Sequence, residues 1–173
     1  MADWLIEQLD RHHVRSAFSC GKPPLDDFIR TLVSQYQKRN LGRTYVAVKA
    51  GDPQVFGYFT LASSSVPFAN LQTGLAKKLP RHPVPVILLA RLAVDQTVQG
   101  QHLGEFLLLD ALDRCATLAD NLGVYAVEVQ AIDDQARLFY QKYGFAALID
   151  DQLHLVLPIA TVRDATRSNR TKR

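Results

Sequence analysis

The spacing of apolar and polar residues divides the first part of the chain into a helix and a hairpin. Apolar side chains recur every three or four residues over 25–36, which predicts a helix that begins at Pro23-Pro24 and ends near Gly42. Alternating residues over 43–50 predict a strand. A Gly-Asp-Pro turn joins it to a second alternating stretch over 55–65, so these two strands form a hairpin.

The rest of the chain alternates between strands and helices. The apolar run over 84–94 is typical of a central strand that is covered on both faces. The other predicted elements are a first strand over 4–9, a weaker helix or loop over 68–82, a helix over 103–121, a strand over 125–130, a helix over 133–143 with an Asp N-cap, and a last hairpin over 146–149 and 153–157. This order predicts an α/β or α+β sandwich around one mixed sheet.

Size and composition fit one globular domain with a basic end. The 173 residues are 47% hydrophobic and 21% charged, an ordinary globular composition. A chain of this length buries about 70% of its unfolded surface and needs no disulfide or metal to fold. After Pro158 the sequence is polar and basic without an apolar period, which predicts a mobile tail. We therefore expect a domain over 1–158 and a tail over 159–173.

The sequence contains no signal for export or membrane insertion. Its longest apolar run, 84–90, is far shorter than the ~20 residues that span a bilayer, and the N-terminus lacks the pattern of a secretory signal. Cys20 and Cys115 make no disulfide framework, and no Cys/His cluster has zinc-ligand spacing. His12 and His13 lack partners at a ligand spacing and are interpreted as surface residues. We expect a cytoplasmic protein without a metal or a membrane partner.

Charged residues are segregated along the chain. Residues 28–94 hold nine Lys/Arg and one Asp, residues 159–173 hold five Lys/Arg and one Asp, and the remainder holds six basic and fifteen acidic residues. Such segregation points to a polyanionic partner, with chance clustering on a solvated surface as the alternative. The candidates for phosphate contact are Lys77, Lys78 and Arg81 and, in the tail, Arg163, Arg167, Arg170, Lys172 and Arg173.

A glycine-containing turn links the apolar strand to the next helix. Gly100 and Gly104 bracket this turn. The unpaired N–H groups at a helix N-terminus suit a phosphate, and glycine permits close approach. The turn lacks the Gly-Lys-Ser/Thr of nucleoside-triphosphate loops and the glycine spacing of dinucleotide folds. Taken alone, the pattern is also that of a plain turn.

Two motifs resemble those of the GNAT acyltransferases. Leu92-Ala-Val-Asp95 followed by Gln99-x-x-His102-x-Gly104 is similar to the family's acetyl-CoA signature, Gln/Arg-x-x-Gly-x-Gly/Ala. The stretch 136–145 is similar to the second motif, a helix that ends in Tyr-x-x-x-Gly-Phe. Both motifs stand in the family's order and spacing. The resemblance implies the GNAT fold, a central mixed and splayed sheet flanked by helices, with acetyl-CoA as cosubstrate.

The resemblance also assigns acetyl-CoA to the strand end and the turn. A bulge in the family's central strand presents a backbone N–H to the thioester, and the pyrophosphate lies on the turn that follows. The residues at these positions are Leu92, Ala93, Val94, Gln99, Gly100, Gln101, His102, Leu103, Gly104 and Glu105. Because His102 stands where the family usually has a glycine, we expect it to adopt ordinary helical angles and to leave binding intact.

Tyr140 matches the family's tyrosine that gives a proton to the leaving thiolate. A phenol of pKa ~10 can donate to a thiolate whose conjugate thiol has a pKa of ~8.5, whereas packing in the core is the alternative role. No residue is marked as the general base. The candidates are Glu105, Asp95, Glu128, Asp133 and His102. An α-amino group titrates near 8, and an ester on the same carbon lowers that value, so such a substrate needs no strong base.

Longer segments resemble the GNAT toxins of bacterial toxin–antitoxin pairs. The residues that carry this resemblance lie in 18–28, 42–47, 57–63 and 85–95, and the match spans roughly 5–160. It implies a toxin that acetylates the α-amino group of aminoacyl-tRNA and stops translation. It also implies a ribbon-helix-helix antitoxin as partner, operator DNA bound through that antitoxin, and a homodimer.

The basic stretch suits a tRNA substrate. Arg91 either contacts the 3′ end of the tRNA or pairs with an acid, and the sequence does not choose between these roles. An N-acetyltransferase for a small-molecule or protein amine is the alternative function, because the fold and the cosubstrate do not fix the acceptor.

Overall fold

The computed structural model describes residues 3–171 and side chains as far as residue 168. The predicted phosphate contacts of Lys172, Arg173 and the Arg170 side chain lie outside the described residues. Within the described part of the chain, no helix has the length and apolar character required to cross a bilayer.

The chain folds into a seven-stranded sheet with helices. In chain order the elements are β1 (Trp4–Gln8), α1 (Pro23–Asp27), a π-helical segment (Phe28–Leu32), α2 (Val33–Lys38), β2 (Arg43–Lys49), β3 (Asp52–Val66), a 3-10 turn (Phe68–Asn70), α3 (Thr73–Ala76), β4 (Val84–Val94), a 3-10 turn (Gln96–Val98), α4 (Leu103–Leu118), β5 (Ala126–Gln130), α5 (Asp134–Lys142), β6 (Ala146–Ala147), β7 (His154–Pro158) and α6 (Ile159–Thr171).

The sheet is mixed, as the sequence predicts. Its strand order is β1-β2-β3-β4-β5-β7-β6. Strands β4 and β5 run parallel, with Leu88 opposite Glu128. The pairs β1–β2, β2–β3, β5–β7 and β6–β7 are antiparallel. The predicted α/β class around one mixed sheet is therefore confirmed.

The segment after Pro158 is helical, which corrects the prediction of a mobile tail. Ile159 and Val162 lie about one turn apart in α6, and both are buried. Arg163 forms an ion pair of 2.9 Å with Asp120, so this cation is already paired within the protein. Two buried residues in a polar helix make a stripe too short for sequence periodicity to reveal.

The described chain forms two compact units. The first comprises residues as far as Ala62 together with Ala90–Ala111, and the second comprises Ser63–Leu89 and the residues from Leu112 onward. The first unit carries the segment that follows β4, and the second carries α5. The candidate site residues are therefore described unit by unit.

Three aromatic rings lie among aliphatic side chains in the core of the first unit. The Tyr58 ring lies 5.5 Å from that of Phe18 and 6.1 Å from that of Phe28, and all three are fully buried. Burial of each such ring stabilises the fold by roughly 1.5–3 kcal/mol. The Tyr58 hydroxyl donates to the Leu25 carbonyl at 2.7 Å, which ties β3 to α1.

The π-helical segment is held by two arginines. In a π-turn the backbone hydrogen bond joins residues five apart instead of four. The guanidinium of Arg15 donates to the Ile29 carbonyl at 2.8 Å. Arg30, inside the segment, donates to the Phe18 carbonyl through Nε and Nη2. These bonds fix Phe28, the first residue of the segment, in the core.

The core of the second unit is aliphatic. Its buried residues come from β3, the loop that follows, β4, β5, β7 and the residue after β6, and they are Val66, Leu71, Val84, Val86, Ala126, Val156 and Leu148. The helix α5 begins as predicted, because Asp133 is its N-cap and accepts from the Ala136 N–H at 2.9 Å. Tyr140 is the buried residue of that helix.

Candidate active site

Backbone and side-chain hydrogen bonds hold the segment that follows β4. The Asp95 N–H donates to the Phe56 carbonyl at 2.8 Å. The Gln99 amide donates to the carbonyls of Val94, at 2.9 Å, and Cys20, at 3.1 Å. The predicted cofactor residues from β4 to α4 therefore lie on one cross-linked loop of the first unit.

Asp95 anchors this loop to the segment before α1. Its carboxylate accepts from the Ser19 N–H at 2.9 Å and from the N–H and hydroxyl of Thr97 at 2.9 and 2.7 Å. Burial by itself raises the pKa of Asp95, but these hydrogen bonds, helped by the charge of Arg30, outweigh it and hold the pKa below its ordinary value. Because its carboxylate already accepts three hydrogen bonds, Asp95 stabilises the loop and is not placed to act as a general base.

His102 adopts a left-handed backbone conformation, which corrects the expectation of helical angles. Its φ is +63°, and that of Gly100 is +82°. A non-glycine residue pays about 1–2 kcal/mol in this region. The turn therefore keeps the geometry that a glycine would adopt at this position. The imidazole is exposed, and its Nδ1 lies 3.7 Å from a Glu105 carboxylate oxygen.

The first turn of α4 presents backbone amides that have no partner among the described residues. Its first helical hydrogen bond runs from the Phe106 N–H to the His102 carbonyl at 3.1 Å. The N–H groups of Leu103, Gly104 and Glu105 precede that bond and lack an acceptor within the helix. Together with the partial positive charge of a helix N-terminus, they can hold an anion such as a pyrophosphate. Gln101, beside them, is exposed.

Close packing under α4 requires a glycine on β3. A Cβ on Gly57 would lie 2.8 Å from Leu107 Cδ1, 3.2 Å from Leu103 Cδ2 and 3.3 Å from the Ala93 carbonyl oxygen. The first contact is shorter than any ordinary van der Waals distance, so with a side chain here either the buried Leu107 side chain or α4 itself would have to shift. Gly57 thereby sets how closely the helix approaches Leu92-Ala93-Val94.

Arg91 stacks on aromatic rings instead of pairing with an acid. Its guanidinium carbon lies 3.7 Å from the centroid of the Phe28 ring and 5.3 Å from that of Tyr36. Among residues 3–168, no carboxylate forms an ion pair with it. The alternative that it pairs with an acid is thereby excluded for the described residues. Cation–π contact fixes the guanidinium and leaves its N–H donors available.

Tyr140 is buried in the second unit. Its ring lies 5.3 Å from that of Phe139 and 5.5 Å from that of Phe145, in edge-on contacts. Burial raises the pKa of its hydroxyl, so the group stays protonated at neutral pH. Within the described residues, the hydroxyl makes no hydrogen bond, and it is therefore available to a bound molecule.

Glu128 lies in a buried polar cluster of the same unit. Its side chain is 2% exposed, and its carboxylate lies 3.2 Å from His154 Nε2 and 3.5 Å from Ser64 Oγ. His154 stands diagonally across β7 on the same face of the sheet. Among the described residues, His154 Nε2 makes no hydrogen bond, so it is a buried polar atom still open to a partner beside this carboxylate.

The other candidate bases have local roles. Asp95 and Asp133 accept backbone N–H groups, while Glu105 and His102 are partly or largely exposed and lie beside each other. Of the five candidates, only Glu128 is a buried carboxylate without a backbone donor in the described chain. Sequence alone did not distinguish it, because its partners come from two other strands.

Three basic residues of the predicted tRNA contact lie in the loop region between β3 and β4. Lys77 follows α3, and Lys78 and Arg81 come just after it. All three are exposed, and in the described part of the chain none forms an ion pair. They belong to the second unit, whereas Arg91 belongs to the first.

His13 is buried, which corrects its interpretation as a surface residue; His12 is exposed. With Glu7 they bring three metal-ligating atoms within 4.8 Å of one another. His13 Nδ1, however, accepts the Asp10 N–H at 2.9 Å, so the neutral ring carries its hydrogen on Nε2 and donates it to Glu7 at 2.8 Å. A nitrogen that carries a hydrogen is no metal ligand, and the cluster is a hydrogen-bonded pair with an exposed histidine beside it.

Comparison with known proteins identifies the family. Residues 40–147 match the model of the acetyltransferase (GNAT) domain. The chain is 40% identical over 148 residues to a tRNA-acetylating toxin of Mycobacterium tuberculosis, a match that covers 86% of this chain and 87% of the relative. It is 32% identical over 168 residues to the probable toxin TacT of Sinorhizobium fredii, covering 92% and 93%.

Solved structures show the same architecture. AtaT complexed with acetyl-methionyl-tRNAfMet matches with a TM-score of 0.88 at 28% identity, covering 95% of this chain and 99% of that one. A mutant AtaT toxin bound to the C-terminus of the antitoxin AtaR and acetyl-CoA matches with a TM-score of 0.81 at 25% identity, covering 95% and 98%. A KacTA–DNA complex matches with a TM-score of 0.81 at 26% identity, covering 96% and 99%. The chain therefore belongs to the GNAT acetyltransferase family, and one of its relatives there is a tRNA-acetylating toxin.

Proposed function

We propose that this protein transfers the acetyl group of acetyl-CoA to the α-amino group of aminoacyl-tRNA and thereby blocks translation. The observation that carries the proposal is its 40% identity, over most of both chains, to a tRNA-acetylating toxin. The first unit offers a fitting anion site, since unpaired amides open α4 behind a turn with two left-handed residues. That site suits the pyrophosphate of acetyl-CoA.

The segment from β4 to α4 is proposed to bind acetyl-CoA. Leu92, Ala93 and Val94 would pair with its pantetheine arm and offer a backbone N–H to the thioester oxygen. Such a preorganised donor stabilises the negative charge that develops on that oxygen during attack. The segment 99–105 would hold the pyrophosphate, and Asp95 and Gln99 keep its shape.

Tyr140 is proposed as the general acid. The amine nitrogen attacks the thioester carbon, the carbon–sulfur bond breaks, and the thiolate takes the proton from the Tyr140 hydroxyl. The proton that the nitrogen loses as it becomes an amide then returns the Tyr140 phenolate to its neutral form, directly or through solvent. Burial raises the pKa of Tyr140, so the hydroxyl keeps its proton at neutral pH and can donate it as negative charge develops on the leaving sulfur. A hydroxyl without a described protein partner supports this role.

The acceptor amine is proposed to react in its neutral form without a strong base. An α-amino group with an ester on the same carbon has a pKa below about 8, against about 10.4 for a lysine side chain, so an appreciable fraction of it carries no proton at pH 7. The local roles of Asp95, Asp133, Glu105 and His102 agree with a reaction that requires no strong base. Of the five candidate bases, Glu128 is the buried carboxylate that accepts no backbone N–H among the described residues.

The basic residues are proposed to contact tRNA. Lys77, Lys78 and Arg81 are exposed and unpaired among the described residues, and Arg91 is stacked with its donors available for a phosphate near the 3′ end. By analogy with the antitoxin and DNA complexes of its structural relatives, we further propose a ribbon-helix-helix antitoxin, operator DNA bound through it, a homodimer and a cytoplasmic location.

Growth of a bacterial host tests the toxin function. Induction of the wild-type chain without an antitoxin is expected to arrest growth, whereas equal amounts of the Tyr140→Phe variant should permit it. Co-expression of the antitoxin gene from the same operon should restore growth. Normal growth with abundant, folded wild-type protein would contradict the proposal.

A further inference from the structure

A basic cleft lies in the first unit, and none of its residues belongs to the predicted cofactor, catalytic or tRNA-contact sets. Its volume is about 500 Å³. Three cations line it, together with one acid, one aliphatic side chain and two neutral polar residues: Arg11, Arg15, Lys38, Asp10, Leu9, Ser34 and Gln37. The lining therefore carries an excess of two positive charges.

Hydrogen bonds fix the walls of this basic cleft. Arg15 donates to the Ile29 carbonyl at 2.8 Å and to the Ser34 hydroxyl at 3.2 Å. The Gln37 side chain donates to the Leu9 carbonyl at 2.9 Å and accepts from a backbone N–H at the start of β2 at 3.2 Å. The cleft is therefore preformed, so a ligand would not have to order it.

Two of its cations have no partner. In the described part of the chain, the side chains of Arg11 and Lys38 make no ion pair and no hydrogen bond, although both are exposed at the rim. Asp10, the acid of the lining, accepts the N–H of Arg11 at 2.6 Å through its own carboxylate and neutralises neither side chain. The positive charge of the cleft is therefore open to an external anion.

The chemistry of the lining favours a phosphodiester backbone over a peptide. Protein partners are anchored chiefly by apolar and aromatic side chains that fill pockets, and this cleft has Leu9 as its single aliphatic wall. Phosphate contacts require cations and polar donors without a shaped apolar pocket. Arginine, lysine, serine and glutamine are the side chains that supply them, and all four types line the cleft.

We propose that this basic cleft binds phosphates of the tRNA backbone as a second contact, in addition to the exposed cations between β3 and β4. The inference rests on the proposed function for the identity of its ligand. Its residues contact RNA for affinity and orientation and take no part in acetyl transfer. Arg11 and Arg15 come from a stretch of the sequence with a net negative charge. The distribution of charge along the sequence therefore does not reveal that they contribute to a basic surface.

Charge reversal at Lys38 tests the cleft, and the chain offers a matched control. Lys38 is the last residue of α2, and Lys142 is the last residue of α5; both are exposed. Lys38→Glu and Lys142→Glu therefore change the protein's net charge equally, each at the end of a helix. Lys142→Glu also removes an exposed cation–π contact of 5.7 Å with the Tyr143 ring. Thermal unfolding of both variants checks that they fold.

Direct binding is the first readout, because it does not depend on acetylation. Deacylated tRNA is titrated with each protein over a range of salt concentrations. Lys38→Glu is expected to raise Kd about tenfold at low salt and to reduce the slope of log K against log salt by about one. Lys142→Glu should match the wild type. An unchanged Kd and slope for Lys38→Glu, or an equal loss in Lys142→Glu, would overturn the proposal.

Acetyl transfer provides the second readout. The kcat/KM of Lys38→Glu should fall about tenfold for whole charged tRNA but stay within twofold for a short aminoacylated oligonucleotide that carries only the 3′ end. An equal fall for both substrates would mean that Lys38 affects the reaction at the 3′ end and not the binding of the tRNA backbone. That result would overturn the proposal for the cleft. Absence of acetylation by the wild type contradicts the proposed function alone, since the binding experiment still decides the cleft.

Discussion

Replacement of His102 by glycine should stabilise the protein. The left-handed φ of +63° costs an L-residue about 1–2 kcal/mol, which glycine does not pay. Glycine in turn increases the freedom of the unfolded chain, at a cost of roughly 0.5–1 kcal/mol. The 3.7 Å contact with Glu105 involves a largely exposed imidazole and contributes little. The net gain is about 0.5 kcal/mol, which corresponds to roughly 1–2 °C in Tm for a chain of this size.

Thermal unfolding of a small series of variants measures this effect. His102→Ala removes the imidazole and keeps the Cβ, so it separates the contact with Glu105 from the backbone strain. His102→Val adds a β-branched side chain, which the left-handed region tolerates least. The expected order of Tm is glycine, then histidine, then alanine, then valine. Affinity for acetyl-CoA should be kept by glycine and weakened by valine, because the turn precedes the amides of α4.

The opposite order of Tm would contradict backbone strain at His102. If His102→Gly unfolds at a lower temperature than His102→Ala, then the left-handed angle is not a source of strain at this position. Equal Tm values for glycine and valine, with equal acetyl-CoA affinities, would mean that the turn is free to change its conformation.

Three further predictions concern single side chains. Tyr140→Phe should lower kcat by about 10²–10⁴-fold with acetyl-CoA affinity and Tm nearly unchanged, since the hydroxyl has no described partner; unaltered turnover would exclude it as the acid. Asp95→Asn should lower the free energy of unfolding at pH 7 by about 1–3 kcal/mol. Because folding lowers the pKa of Asp95, its contribution to the free energy of unfolding is present above the unfolded pKa of about 3.9 and is lost as pH falls through the folded pKa. The stabilities of wild type and variant should therefore converge in acid denaturation below about pH 4. A difference in stability that stays constant with pH would contradict this. Gly57→Ala should lower the free energy of unfolding by about 1–3 kcal/mol and weaken acetyl-CoA binding. The control Gly74→Ala, whose Cβ meets nothing within 4 Å, should do neither. Equal stabilities of the two variants in calorimetry would show that the neighbours of Gly57 accommodate a methyl group without loss of stability.

Local signals were sufficient for most elements of the fold. The apolar run predicts β4 with both of its ends, because a strand covered on both faces shows no alternation and stops at polar residues. The Asp133 N-cap predicts the start of α5, because the hydrogen bond it accepts is made within one turn. Elements with such local causes can be recognised from a single sequence.

Elements that depend on distant contacts could not be predicted. The π-helical segment interrupts what the sequence presents as one regular helix, since the support for its backbone comes from Arg15, outside the helix. The helix α6 carries Ile159 and Val162 as its buried residues, and its pairing with Asp120 lies far away in the sequence. Neither feature leaves a periodic pattern.

The candidate site likewise has features with local causes and features that depend on distant contacts. Motif resemblance located the loop from Leu92 to Glu105, but not the left-handed angle of His102, because backbone angles follow from the closure of the turn. The stacking of Arg91 on Phe28 brings together residues from separate elements, and no spacing rule connects them. Sequence therefore indicated which residues to consider, and the structure supplied their partners.

A labelling experiment decides whether the acceptor is the α-amino group of aminoacyl-tRNA. Purified protein and labelled acetyl-CoA are incubated with total charged tRNA and, in parallel, with the same tRNA deacylated beforehand. Label is expected on the charged tRNA alone, and base hydrolysis of the ester should release it as an N-acetyl amino acid. Label on deacylated tRNA, or no label on either sample from protein that binds acetyl-CoA, would contradict it.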